Sequence, residues 1–424
     1  MRIMKDSGIE WVKDIPSTWD VAYLSAVLSE RKNKNIGMKE NNLLSLSYGN
    51  VIRKDITTND GLLPESFEGY NIIEKDDIVL RLTDLQNDHR SLRTGLCKER
   101  GIITSAYCTL KKNSSKYDSR FLQYYLHSFD ICKGFYGMGA GVRQGLNYDG
   151  IRKIEILLPP LAEQIAIADC IEEKTKKVDA LIANQEAQIE KLKAYKQSLI
   201  TEVVTKGLDP NVPMKDSGVE WIGLIPKHWN TIATKYLFRI ESGATPKSEN
   251  PEYFDGDIPW ITPADYKTEE VFVFGGRRNI SELGLKSCST TLIPKGSLIF
   301  SKRAPIGAVA INAEELCTNQ GCLSCIPKTE DIVKYYYYVM SVCTEQYNLL
   351  GSGTTFKEIS ATNFANFVLP NPSVSEQEEM VAYLDEKCSK VDRLIAIKNA
   401  KIDKLNKYKK SLIYEYVTGK KEVM

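Results

Sequence analysis

The sequence is poor in the residues that usually carry chemistry. Its three histidines, His89, His127 and His228, are too scattered to make a metal site or a catalytic triad. No G-x-x-x-x-G-K-[ST] segment occurs, which excludes a P-loop, and the Asn/Asp-Pro-Pro-aromatic tetrapeptide of amino-methyltransferases is missing too. "GMGAG" follows a helical stretch rather than a strand, so it reads as a helix-ending loop and not as a dinucleotide or S-adenosylmethionine loop. The ten cysteines are unpatterned, as in a reducing compartment. Cys317, Cys322 and Cys325 in "CTNQGCLSC" approach metal-site spacing but have no fourth ligand nearby, and the segment reads as a buried strand. Glu172-x-Lys174, half of a nuclease-like motif, reads as a solvated helix face. There is no run of about 18 apolar residues and no apolar N-terminal leader, so a cytoplasmic protein without membrane contact is expected. A net charge of +1 excludes a general basic coat; any nucleic-acid contact must come from local patches.

What is abundant is repetition. "MKDSGIEWVKDIPSTWD" at 4–20 returns as "MKDSGVEWIGLIPKHWN" at 214–230, a hook repeated 210 residues later. "VDALIANQEAQIEKLKAYKQSLITEVVT" at 178–205 returns as "VDRLIAIKNAKIDKLNKYKKSLIYEYVT", 213 residues later. Each half of the 424 residues therefore runs hook, globular stretch, long helix. In the first helix Val178, Ile182, Ile189, Leu192, Leu199 and Val203 form a narrow apolar stripe; in the second, Val391, Ile395, Ile402, Leu405 and Leu412 do the same. Ser375 with Glu378 reads as a capping box, and glycine follows the last turn in "TKGLDP" and "TGKK". A helix from about 162 to 204 is roughly 65 Å long. Only "GLDPNVP" joins the first helix to the second hook, which predicts an antiparallel pair. The boundaries predicted are a first reader at 1–157, a first helical spacer at 158–208, a second reader at 209–369 and a second spacer at 370–424. The class expected is α+β (mixed α/β): two readers joined by an antiparallel coiled coil with pseudo-twofold symmetry.

The two globular stretches resemble each other much less. "DDIVLRLTDL" and "GSLIFSKRAPIGAVAI" read as strands, and "SRFLQYYLHSFDICKGFYG" and "EDIVKYYYYVMSVCTEQYNLL" as aromatic-rich helices. Their loops carry groups suited to DNA: arginine for guanine, glutamine or asparagine for adenine, lysine, serine and threonine for phosphate. In the first half these are Tyr48, Arg81, Thr83, Gln86, Asn87, Arg90, Arg93, Arg143 and Gln144. In the second they are Thr245, Lys247, Trp260, Thr262, Lys302, Arg303, Thr355 and Lys357.

The layout resembles the specificity (S) subunit of type I restriction–modification systems. The resemblance rests on the twin hooks, "GATPKSENPEYFDGDIPWITPADY", "IFSKRAPIGAVAI", "LPPLAEQ", "SEQEEM" and the two "VD-x-LIA" helices, which together span essentially the whole chain. It implies two target recognition domains, each binding half of a split double-stranded DNA target. It also implies helices that space them and dock two methyltransferase (M) subunits. The M subunits bring S-adenosylmethionine and methylate adenine; restriction (R) subunits add ATP- and Mg-dependent cleavage. The chain itself is then expected to be non-catalytic, with no cofactor and no metal of its own. The first half departs from the pattern, carrying "LLSLSYGNVIRKD" where the second has "G-x-TP…IPW". A coiled-coil adaptor without a DNA-reading role is the alternative left open by the near-neutral charge.

Overall fold

The computed structural model describes residues 2–56, 64, 66–85, 92–138, 145–267, 269–303, 305–328, 332–352 and 357–423. The chain is mixed α/β and divides into two compact units, 1–186 with 399–424, and 187–398. Each long helix, Leu161–Lys206 and Val374–Val417, contributes one end to each unit.

In the first unit the hook is a two-stranded ribbon, Met4–Asp6 against Asp14–Pro16, followed by the fully buried Trp19. Its reader holds an antiparallel sheet ordered Leu28–Glu30, Cys108–Lys112, Ile78–Leu80, Thr94–Leu96. A second pairing joins Asp20–Tyr23 to Glu155–Leu158, just before the first long helix. The helix Ser119–Ile131 covers the sheet with Phe121, Leu122, Tyr125 and Leu126, all buried. Asp118 caps it, accepting from the amides of Arg120 and Phe121.

The second unit repeats this plan from a different sequence. Its hook ribbon is Met214–Asp216 against Leu224–Pro226, followed by buried Trp229. Its sheet runs Phe238–Ser242, Cys322–Pro327, Leu298–Ser301, Val309–Asn312, in the same order and sense, with Phe272–Val273 added in parallel at the edge. Asn230–Ala233 pairs with Val368–Asn371, the counterpart of the pairing before the first long helix. The tyrosine-rich stretch is two helices, Val333–Ser341 and Thr344–Leu350, rather than one. Cys317, Cys322 and Cys325 lie buried in strands, and burial pushes their thiols up, Cys317 to about 11 and Cys322 to about 12. Among the described residues no group of histidine, cysteine or carboxylate side chains could hold a metal, and no helix is long and apolar enough to cross a membrane.

The hooks clamp helix ends. Trp19 donates its indole N–H to Glu163 (3.1 Å) at the start of the first long helix, and Trp229 donates to Glu376 (2.9 Å) at the start of the second. Each hook also receives the end of a long helix. In the first unit Tyr414 donates to the Trp11 carbonyl (3.0 Å) and Gly419 lies against Pro16 and Trp19. In the second, Gly207 lies against Trp229 and Pro226. Both glycines have left-handed backbone, φ 71 and 77, which ends the helix and leaves room for the ring beside it. The capping box at the second helix is formed by Ser373 and Glu376, not by Ser375 and Glu378: Ser373 N–H donates to Glu376 (3.1 Å), and Glu376 N–H to the Ser373 hydroxyl (3.4 Å). The helix starts at Val374, which puts Ser375 inside its first turn. Burial alone would raise the Glu376 carboxyl; hydrogen bonds from Ser373, His228 and Trp229 outweigh it and hold it at about 2.

Within each unit the helix segments run antiparallel. In the first, Lys409 pairs with Asp179 (2.6 Å), while Ile167 and Ile171 share a core with Leu412, Ile413, Tyr416 and Val417. In the second, Lys196 pairs with Asp392 (2.7 Å), Lys398 donates to Gln188, and Ile200, Val203 and Val204 share a core with Met380, Leu384 and Cys388. The two ion pairs occupy positions matched at the 213-residue repeat. Shielded positions recur at alternating steps of three and four along both helices, a heptad seam that takes in Gln185, Lys196, Lys398 and Lys409 as well as the aliphatic residues. Val178, Ile189, Val391 and Leu412 are buried in it, and Ile182, Leu192, Leu199, Ile395, Ile402 and Leu405 are half-buried.

Candidate nucleic-acid interface

One loop pair stands at the end of an inner strand of each reader sheet. In the first unit the loop after Ile78–Leu80 meets the chain entering Asn147, where Leu146 N–H donates to the Leu82 carbonyl (2.8 Å). In the second unit the loop after Leu298–Ser301 meets the chain before the helix Ala361–Asn366, where Ile359 N–H donates to the Lys302 carbonyl (3.0 Å). The same bond joins the same two loops in both readers. Among the described residues, the fold thus brings Leu82, between Arg81 and Thr83, to Leu146, and Lys302 to Ile359, two residues from Lys357.

Their side chains differ in what they can do. Arg81 and Thr83 are exposed. Arg93 is not: it is 4% exposed, and its guanidinium donates to the carbonyls of Arg81 (3.0 Å), Thr83 (2.6 Å) and Asp84 (2.8 Å). Its amide donates to Asp130. Arg93 is therefore a correction to the sequence reading; it holds the backbone that presents Arg81 and Thr83, because two guanidinium nitrogens in one plane donate to three neighbouring carbonyls at once. Gln86, Asn87, Arg90, Arg143, Gln144 and Thr355 lie outside the described residues.

In the second reader Lys302 (2.8 Å) and Arg303 (2.7 Å) share Glu358. Burial works against ionisation of Glu358, but hydrogen bonds from both cations keep its carboxyl below the ordinary range. Two cations on one carboxylate leave one net positive charge, fixed in position, and Lys357 beside it is exposed. Trp260 also departs from the sequence reading. It is buried, donating its indole N–H to the Ala244 carbonyl (3.0 Å), so that it pins the loop carrying Thr245 and exposed Lys247. Thr245 donates to Gln320, and Thr262 donates through N–H and hydroxyl to Asp265 (2.8 and 2.7 Å).

Sequence reasoning passed over two arginines of the second unit. Arg277 is exposed and tied to the Ala264 carbonyl (2.9 Å), and Arg278 stacks over Phe254 with its guanidinium carbon 3.9 Å from the ring centroid. "GGRRN" carries two adjacent arginines after glycines, a signal that was present. In the first unit Tyr48 stands 68% exposed at the tip of the hairpin Leu44–Ser47/Asn50–Arg53, with φ 48. It lines a cleft of about 600 Å³ together with Lys98, Arg120, His127, Lys176 and Lys409.

A sequence model described as type I restriction modification DNA specificity domain matches residues 17–191 and 226–407. The type I restriction enzyme MjaIX specificity subunit of Methanocaldococcus jannaschii is 39% identical over 166 residues, a match spanning 38% of each chain. The putative MjaX specificity subunit of the same organism is 25% identical over 427 residues, 96% of this chain and 95% of the relative. A chain solved in work on complex assembly and conformational transition of the type I R-M system superposes with a TM-score of 0.70 at 16% identity. It covers 95% of this chain and 98% of that one, a likeness of fold.

Proposed function

Because this chain belongs to the family of type I restriction modification DNA specificity domains, we propose that it reads a bipartite, asymmetric DNA target, one half-site per reader. The chain is a non-catalytic specificity subunit. Its helices act as the spacer, an antiparallel coiled coil with pseudo-twofold symmetry, and carry two copies of a methyltransferase subunit. Those partners supply S-adenosylmethionine and methylate adenine; restriction subunits, with ATP and Mg, add cleavage. The setting is the cytoplasm.

One observation carries this reading: the frame is duplicated in sequence, whereas the readers repeat one fold with different loops. Hooks, ion pairs and helix ends recur at matched positions in both units, while the loops joined by the Leu146–Leu82 and Ile359–Lys302 bonds differ in sequence. A repeated frame suits two identical partners. Different readers suit two different half-sites, with Arg81 and Thr83 on one side and Lys247, Lys302, Arg303 and Lys357 on the other, in the roles such side chains take on bases and phosphates.

The test is to co-express the chain with its methyltransferase subunit and sequence the methylated positions of the host genome. The expected result is one split motif with a fixed gap. Arg81→Ala should relax one position of one half-site only. Methylation at an uninterrupted motif, or none, would overturn the proposal.

A further inference from the structure

The two long helices match in seam and ion pairs, but not in the charge of their outer surfaces. Lys401, Lys404, Lys407 and Lys410 follow one another at steps of three on the second long helix, all exposed. Their counterparts 213 residues earlier are Gln188, Lys191, Ala194 and Gln197. Steps of three turn each lysine back by about 60° around the helix, so the four sweep the surface turned away from the seam. Among the described residues none of the four has an ion pair or hydrogen bond, whereas Lys409, in the seam between them, is taken by Asp179. Asp403 is the sole carboxylate between Lys398 and Lys410 in the sequence. The cleft of the same unit is lined by Lys98, Lys176 and Lys409 together with Glu172 and Asp179, a mixed wall, so the excess of positive charge lies on the helix face itself. His127 registers that field: burial first, then the charges of Lys409 and Lys410, lower its pKa to about 4.

We propose that this lysine face of the second long helix, at Lys401, Lys404, Lys407 and Lys410, binds the phosphate backbone of duplex DNA without reading sequence. The inference rests on the DNA-reading role proposed above and adds a contact outside either reader. Chemistry favours phosphate over an acidic protein surface. Flexible ammonium groups spread over half a helix circumference match a continuous line of charge better than a few fixed carboxylates. The four span about 13 Å of helix, and duplex DNA presents a charge about every 1.7 Å of axis, so each lysine can find a phosphate. The face is not repeated in the first helix, which makes the contact one-sided and gives the complex a polarity on its target.

The test uses the full chain assembled with its methyltransferase subunits. Affinity for a target duplex and for an unrelated duplex is measured over a salt series, for the native chain and for K401Q/K404Q/K407Q/K410Q. Each lost phosphate contact should lower the slope of log K against log salt by about 0.9, up to roughly 3.5 for four, with both duplexes weakened alike. The four-arginine variant should restore the slope, and K404Q/K407Q alone should lower it by about half as much. An unchanged slope in the glutamine variant overturns the inference, as does loss of methyltransferase assembly with DNA binding intact, which would mark an acidic protein partner. If the native assembly does not distinguish target from unrelated DNA, the DNA-reading role itself fails, a different result from an unchanged slope.

Discussion

A chain truncated after Pro213 keeps one hook, one reader and the whole first long helix, but loses the helix end that completes its unit. That end supplies Leu412, Ile413, Tyr416 and Val417 to the core beside Ile167 and Ile171. The residues matched to them, Leu199, Ile200, Val203 and Val204, do the same work in the second unit. A second copy of the truncated chain can therefore lend its own helix end, and Lys196 would meet Asp179 where Lys409 now does at 2.6 Å. The losses include the Tyr416 ring, replaced by Val203, the Tyr414 hydrogen bond to the Trp11 carbonyl, replaced by Thr201, and the Lys420 hydrogen bond to the Val12 carbonyl, where the matched residue is Gly207. The ring costs roughly 2–3 kcal/mol and each hydrogen bond about 1 kcal/mol at each site. Burying the four aliphatic side chains contributes roughly 1.5–3 kcal/mol each, about 6–12 kcal/mol per site, and two sites form at once. Burial wins, and the expected product is an isologous twofold dimer. Light scattering should give twice the chain mass, and with methyltransferase subunits the dimer should methylate a palindrome of the first half-site. Lys196→Glu should weaken the dimer by setting like charges together at both sites, and adding Asp179→Lys should restore its affinity. A truncated chain that stays monomeric while circular dichroism shows its helix intact would refute the reasoning.

Three further outcomes are expected. His127, held at about 4 against an ordinary 6.5, stays neutral in the fold; its contribution is whole above pH 6.5 and is lost as pH falls towards 4. Melting temperatures at pH 7 and pH 4.5 should therefore differ less for His127→Gln than for the native chain, and an equal difference would count against this assignment. Arg93→Lys should destabilise the chain by about 1–3 kcal/mol in urea unfolding, because one ammonium cannot reach three carbonyls; a neutral result would mean that the fork is not needed. Deleting 185–191 together with 398–404 removes one heptad from each helix and keeps the seam. That is about 10 Å of helix, or roughly 3 bp, so sequencing of methylated sites should find a shorter gap between unchanged half-sites. An unaltered gap would show that the helices do not set the spacing.

Much of the frame is local in origin and could be read from the sequence. Hook, heptad stripe and terminal glycine are contiguous patterns repeated nearly word for word, and a helical stripe needs no knowledge of its partner to be recognised. The predicted helix of about 162 to 204 is observed as Leu161–Lys206. Capping was legible in kind but not in place, since Ser373 and Ser375 both precede acidic residues and only the backbone geometry selects Ser373. Tertiary structure decided the rest. The readers share one strand order because the order depends on buried alternation and loop closure, which many sequences satisfy; residue identity had drifted too far to reveal it. Arg93 and Arg81 look alike in sequence, yet one is buried under its own loop and the other exposed, a difference made by which carbonyls the fold leaves without a partner. Polar residues in the seam were unreadable for the same reason. Lys196 and Lys409 interrupt an aliphatic stripe on paper, and only the antiparallel register supplies the aspartates that make them fit.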